Sequence, residues 1–203
     1  MWSIIEAAGW PIWTIVAASI VSLAIILERL YSLRQSLVAP AGLLAQTLDA
    51  YRRHGADSEA LRQMAGASPL GQILSAGLRN ADGSREVMKE AIEDEGRLVL
   101  FQLERFLTTL GSIAAMAPLL GLLGTVVGMI ELFGSQTPTG ANPHVLAHGI
   151  SVALYNTAFG LIVAIPSMMF YRYFRAKVDA LLVEMESQAV RLVEVIHGDR
   201  RQG

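Results

Sequence analysis

Three long stretches of this chain contain no charged residue: between Glu6 and Glu28, between Arg105 and Glu131, and between Glu131 and Arg172. A helix needs about 20 mostly apolar residues to cross the roughly 30 Å hydrocarbon core of a bilayer. The first two stretches fit one crossing each. The third is longer, but its first part, Gly134 to Gly149, holds Gln136, Thr137, Pro138, Asn142, Pro143, His144 and His148 and reads as a polar connection. That leaves one crossing from Ile150 to Tyr171. Composition agrees, with 53 % apolar and 17 % charged residues, against about a quarter charged in soluble domains. The expected fold is an all-α membrane protein with three transmembrane helices.

Orientation follows from the basic residues. All 16 Lys and Arg fall within Arg29–Arg105, Arg172–Lys177 and Arg191–Arg201, and none lies in the 134–149 connection. Basic loops stay on the cytoplasmic side, so the N-terminus is expected outside and the C-terminus inside. The expected organisation is then a periplasmic N-terminus and first span over 1–30, a cytoplasmic helical region over 31–105 and a second span over 106–133. A periplasmic loop over 134–149, a third span over 150–171 and a cytoplasmic C-terminal helix over 172–203 complete it. Trp2, Trp10 and Trp13 suit the outer aromatic belt, and Tyr31, Tyr171 and Tyr173 the inner one. The start of the chain lacks the basic, cleavable pattern of a signal peptide, so the first apolar stretch is expected to be a retained anchor.

The cytoplasmic parts read as long helical extensions. Asp82 and Ser84 offer N-caps for a helix beginning near Arg85. Ile92, Gly96, Val99, Leu103 and Phe106 keep helical spacing into the second span with no Pro before Pro118, which predicts one long helix. Beyond the third span, Val178, Leu182, Met185, Ala189, Leu192 and Ile196 repeat in steps of three and four. That stripe can pack on the chain's own bundle or on a neighbouring subunit. Net charge is −2, which gives nucleic-acid binding no support, and there is no cysteine. No nucleotide loop, metal cluster or catalytic triad is present, so neither enzymatic activity nor a cofactor or metal is expected.

Within the spans, Gly121, Gly124 and Gly128, with Ala114 and Ala117, form a small-residue surface that lets helices approach closely in lipid. Packing within the chain accounts for part of it, and its extent points to an oligomer. Pro118 frees the carbonyl of Ala114 and shares a face with Thr125, two turns on. In the third span Ala153, Thr157, Gly160 and Ala164 share a small, partly polar face, with Ser151 and Asn156 nearby. Each Thr can bond its own helix or face a lumen. No Asp, Glu, Lys, Arg or His lies within the charge-free cores of the spans, although intramembrane titratable groups usually mark ion relays. A proton carrier would have to come from another chain.

The stretch Ala117-Pro118 through Gly121-Leu122-Leu123-Gly124-Thr125-Val126-Val127-Gly128-Met129 resembles the MotA/TolQ/ExbB proton-channel family. So do Ala153-Leu154-Tyr155-Asn156-Thr157-Ala158-Phe159-Gly160-Leu161, Ala164-Ile165-Pro166, Ser68-Pro69-Leu70 and Ala76-Gly77-Leu78. The size and three-span layout resemble the ExbB and TolQ branches. The resemblance implies an inner-membrane homopentamer around a single-span partner of the ExbD/TolR type, whose intramembrane Asp carries the proton. It implies that Pro118, Thr125 and Thr157, on faces shared with Ala153 and Gly160, line the ion pathway, and that the movement passes to a TonB- or TolA-like protein. Relatives often carry Glu five residues before the third-span Thr, where this chain has Val152. A non-conducting oligomeric scaffold is the alternative, and a secondary transporter fits poorly because there are no matching broken helices in two halves.

Overall fold

The computed structural model describes residues 9–55, 59–134 and 143–198. Among these residues every regular element is helical: α1 (Pro11–Ser32), α2 (Gln35–Val38), α3 (Leu43–His54), α4 (Glu59–Ala67), α5 (Pro69–Arg79), α6 (Arg85–Glu104), α7 (Leu107–Gly134) and α8 (Pro143–Ile196). Three of the helical stretches are long and apolar enough to cross a membrane, those carrying α1, α7 and α8. The chain divides into two compact units. One comprises the first segment up to Glu28 together with Phe106–Tyr173, and the other comprises Arg29–Arg105 together with the segment from Phe174.

In the first unit α1, α7 and the first part of α8 turn large apolar side chains outward. Ile20, Leu23, Leu119, Leu122, Ile162 and Met169 are exposed, whereas Ala114, Ala117, Ala153 and Ala164 are buried. Small residues inside and large apolar ones outside invert a soluble core, as packing in lipid requires. Exposed Trp10 and Trp13 sit at the start of α1, as an interfacial belt would have them. Trp2 lies outside the described residues. The buried hydroxyls of Ser22 on α1 and Ser167 on α8 are 2.6 Å apart, and Ser167 also donates to the Val163 carbonyl at 2.7 Å. Helix α8 already begins at Pro143, because proline's fixed φ and missing N–H suit the first helical position. Residues 143–149 of the expected connection are therefore helical; residues 135–142 are not among those described.

The second unit is built around α5, which packs against α2, α3, α4 and α6. Ser68 caps α5 by accepting from the Gly71 amide at 3.2 Å, with Pro69 in the first turn, and Ser84 caps α6 by accepting from Val87 at 3.3 Å. Leu70, Ile73, Leu74 and Leu78 fill the centre with Met88 and Val99 of α6. The C-terminal part of α8 buries Phe174, Val178, Leu181, Met185, Ala189, Leu192 and Val193. A Cβ at Gly77 would meet both Ile92 and Leu192, so this stripe packs on the chain's own bundle. Leu181 and Val193 are buried, where the sequence pattern put Leu182 and Ile196 on the stripe.

The long helix expected from Arg85 into the second span is broken. Arg105 leaves helical geometry at φ −50°, ψ 136°, and Phe106 takes a left-handed φ of 64°. A left-handed conformation costs a non-glycine residue about 1–2 kcal/mol, so the surroundings must hold it. The buried guanidinium of Arg29 donates to the Leu103 carbonyl at 3.2 Å, satisfying one acceptor orphaned at the end of α6 with a charge that suits a helix C-terminus. Arg175 pairs with Glu104. The Arg105 amide closes a tight turn on Gln102, and the Phe106 carbonyl then accepts the Leu110 amide at 2.9 Å and starts α7.

Candidate functional site

The seam between α7 and α8 comes from glycine and alanine at three- and four-residue steps. On α7, Ala114, Ala117, Gly121 and Gly124 are buried. On α8, Ala153, Asn156, Gly160 and Ala164 are buried, and Thr157 is half-buried beside them. The two backbones nearly touch. A Cβ at Gly121 would lie 2.7 Å from the Asn156 carbonyl oxygen and 2.9 Å from the Thr157 Cα, and one at Gly160 would lie 2.6 Å from the Ala117 carbonyl oxygen. At Gly124 it would meet the Asn156 side chain at 2.8 Å, and at Gly128 the Ala153 Cβ at 3.2 Å. The glycine surface read as evidence for an oligomer is therefore occupied within one chain, because α8 presents equally small residues to it.

This approach sets the hydroxyls of Thr125 and Thr157 2.5 Å apart. Thr125 also reaches the carbonyls of Gly121 and Ala153, each at 3.2 Å, and Thr157 reaches that of Gly121 at 3.2 Å. Each hydroxyl donates one hydrogen and accepts two, so the network has two directions. In one, Thr125 donates to Thr157, which donates to the Gly121 carbonyl. In the other, Thr157 donates to Thr125, which donates to Ala153 or Gly121. Rotation of two hydroxyl hydrogens interconverts them with the heavy atoms fixed. Both Thr residues stay half-buried, so each keeps one side open.

The expected site residues divide accordingly. Thr125, Thr157, Ala153 and Gly121 meet in one network, and Gly160, Gly124 and Gly128 hold the seam closed around it. Half-buried Pro118 lies on α7 between Ala114 and Gly121, two turns before Thr125. The sequence marks Asn156 only as polarity near Thr157. It is 1 % exposed and packs its carboxamide on Gly124. The available signal was a carboxamide one residue from Thr157 in a span otherwise short of polar groups. The Ser22–Ser167 pair left no comparable trace.

Apolar spanning helices, a seam closed by small residues and a polar locus of hydroxyls and carbonyls together define an integral membrane protein of the transport type. The family described as the MotA/TolQ/ExbB proton channel family matches residues 65–187. This chain belongs to that family. An ExbB-like biopolymer transport protein of Synechocystis is 32 % identical over 161 residues, covering 78 % of this chain and 77 % of the relative. An ExbB-type biopolymer transport protein of Vibrio cholerae is 31 % identical over 186 residues, covering 88 % and 79 %. The Tol-Pal system protein TolQ of Pseudomonas aeruginosa is 29 % identical over 225 aligned positions, covering 97 % and 92 %.

Proposed function

We propose that this protein is the channel subunit of an inner-membrane energy-transducing complex of the ExbB/TolQ type. It assembles as a homopentamer around a single-span partner of the ExbD/TolR type, and Pro118, Thr125 and Thr157 line the proton pathway beside the partner's intramembrane Asp. Proton flow alternately charges and neutralises that Asp, and the resulting movement is passed to a TonB- or TolA-like protein. The N-terminus is periplasmic and the C-terminus cytoplasmic, as the distribution of basic residues favours. The observation that carries the reading is the reversible hydroxyl pair, which can pass a proton in either sense while keeping no charge itself.

The test is proton flux in proteoliposomes holding the complex with its partner, for the wild type, Thr125→Val and Thr157→Val. Valine keeps the shape and removes the hydroxyl, and an unsatisfied group left behind costs about 1–3 kcal/mol. Flux should collapse in both variants while the oligomer and its bound partner survive. Full flux in both would reduce the pair to helix-packing hydroxyls. A non-conducting scaffold draws support from the same bonds, since each Thr finds an acceptor within the chain, and a wild type without flux would establish that reading instead.

A further inference from the structure

Within the membrane unit, beyond the hydroxyl pair toward the C-terminus of α7 and the N-terminus of α8, lies an open cavity of about 330 Å³. Its lining includes Gly128 and Glu131 of α7 and His148, Val152, Ala153 and Asn156 of α8. The residues fall at helical steps: His148, Val152 and Asn156 are one turn apart on α8, and Glu131 is one turn from Gly128 on α7. Glu131 and His148 are exposed, Val152 is half-buried, and Ala153 and Asn156 are buried. The cavity thus runs from exposed titratable groups down to the seam, with room for several waters and polar groups to hold them. Ala153, which lines it, also accepts the Thr125 hydroxyl on its carbonyl.

We infer that Glu131 and His148 form the proton-exchanging mouth of the pathway, taking protons from the aqueous phase at this end and passing them through cavity water to Thr125 and Thr157. The inference rests on the channel reading above and adds to it where protons enter or leave. The chemistry requires a group that changes charge, because water and threonine hydroxyls carry protons without storing them. Among the described residues, Glu131 and His148 are the titratable ones that line the cavity. Among the described residues of the unit, His144 lies one turn before His148, and Glu28 lies 17 residues beyond Pro11 on α1, about 25 Å away along that helix. Each transfer balances. The imidazolium or carboxylic acid releases a proton to a cavity water, and that water hands one to Thr125. Each hydroxyl gives up one proton as it accepts another, and a carboxylate of the partner receives the last. The donor is then reprotonated from bulk water, and no bond between heavy atoms changes.

The experiment uses the full complex in proteoliposomes loaded with a pH-reporting dye. The variants are Glu131→Gln, His148→Gln, the double variant and His148→Ala, with Thr125→Val as reference. Both mouth residues are exposed, so assembly should be unchanged by size-exclusion chromatography. The double variant should lose flux by about tenfold or more, less than the 10²–10⁴ typical of a positioned acid–base group because water can partly replace it. Added imidazole should restore flux to His148→Ala and not to Thr125→Val, since a diffusible proton carrier replaces a lost shuttle but not a lost hydroxyl relay. Glu131→Asp should retain flux. Should Thr125→Val abolish flux while the double variant keeps it, the mouth assignment is overturned and the channel reading stands. A loss that imidazole leaves unrestored in His148→Ala also overturns it, as the mark of a structural role. A wild type without flux removes the channel reading and the mouth with it.

Discussion

Alanine substitutions along the α7–α8 seam should follow an order set by what each new Cβ would meet. At Gly160 the methyl would lie 2.6 Å from the Ala117 carbonyl oxygen and 3.1 Å from the Gly121 Cα, both backbone atoms. Relief requires the helices to part by several tenths of an ångström, and overpacking of this kind costs about 1–3 kcal/mol. The displacement also lengthens the Thr125–Thr157 contact, and a weakened hydrogen bond adds up to about 1 kcal/mol. Gly121→Ala meets backbone at 2.7 and 2.9 Å and should behave alike. Gly124→Ala meets the Asn156 Cβ and Cγ, each at 2.8 Å; the Cβ is fixed by the α8 backbone and the side chain is buried, so its cost should be similar. At Gly128 the 3.2 Å contact with a methyl nearly cancels the gain of removing a helical glycine. Gly96 of α6 has nothing within 4 Å of its new Cβ, so Gly96→Ala should stabilise by about 0.5–1 kcal/mol.

The assay is unfolding of the detergent-solubilised protein by a denaturing surfactant, followed by helical circular dichroism, with oligomer size measured in parallel. Seam variants at Gly160, Gly121 and Gly124 should each lower the unfolding midpoint, and Gly128→Ala should lower it least. Equal midpoints for Gly160→Ala and Gly96→Ala would refute intramolecular closure of the seam. Disassembly at an unchanged midpoint would return the glycines to a role between subunits.

Arg29→Met should destabilise the protein by about 1.5–3 kcal/mol, the value of a hydrogen bond to a charged group, measured by chemical unfolding, because the Leu103 carbonyl loses its donor. Ser84→Ala should cost about 1 kcal/mol through the lost cap on α6. Glu86 is held below the usual carboxylate range, first by a hydrogen bond from its own backbone and then by one from the Ser84 hydroxyl. Its contribution is therefore present above the ordinary glutamate pKa and is lost as pH falls through the lowered one. Acid titration of Ser84→Ala should show a weaker pH dependence in that window than the wild type. Val152→Glu should assemble normally by size-exclusion chromatography, because that side chain lines a water-accessible cavity; failure to assemble would place it against lipid.

The spans were legible because hydrocarbon thickness fixes how many apolar residues a crossing takes, and the charge-free gaps display that number directly. The partner of the glycine surface was harder to read. Small residues at helical spacing mark a close approach without naming the helix that approaches, and Ala153, Gly160 and Ala164 of α8 are as small as their counterparts on α7. The break at Phe106 left no signal, since it involves neither Gly nor Pro and the apolar spacing runs unbroken across it. The Arg29 guanidinium that caps the end of α6 beside it is equally hidden, because Arg29 is 74 residues from Leu103 in the chain. Pro143 could have marked the start of α8, but it stands among Asn142, Pro138 and Gln136, whose company reads as loop. Thr125 and Thr157 were singled out mainly by resemblance. Their 2.5 Å contact depends on the glycine seam and cannot be deduced from either residue.

A hydroxyl pair of this kind limits how the protein can couple a gradient to work. It is neutral before and after each transfer, so passage of a proton leaves no force acting on the helices that carry it. Work requires a group whose charge changes at the point of passage, since only a change in charge alters the electrostatic and solvation energy of one position against another. In low dielectric that change is large, because a buried unpaired carboxylate is costly when ionised and tolerated when protonated. A glutamate at position 152 would put such a group on this chain, one turn from Asn156. With valine there, Glu131 and His148 line the cavity and both are exposed; at the proposed mouth water screens the difference. On the proposed reading the working charge therefore belongs to the partner. This chain supplies a fixed track of hydroxyls and carbonyls, and the energetic step falls where a partner carboxylate leaves water at the mouth and meets the hydroxyl pair.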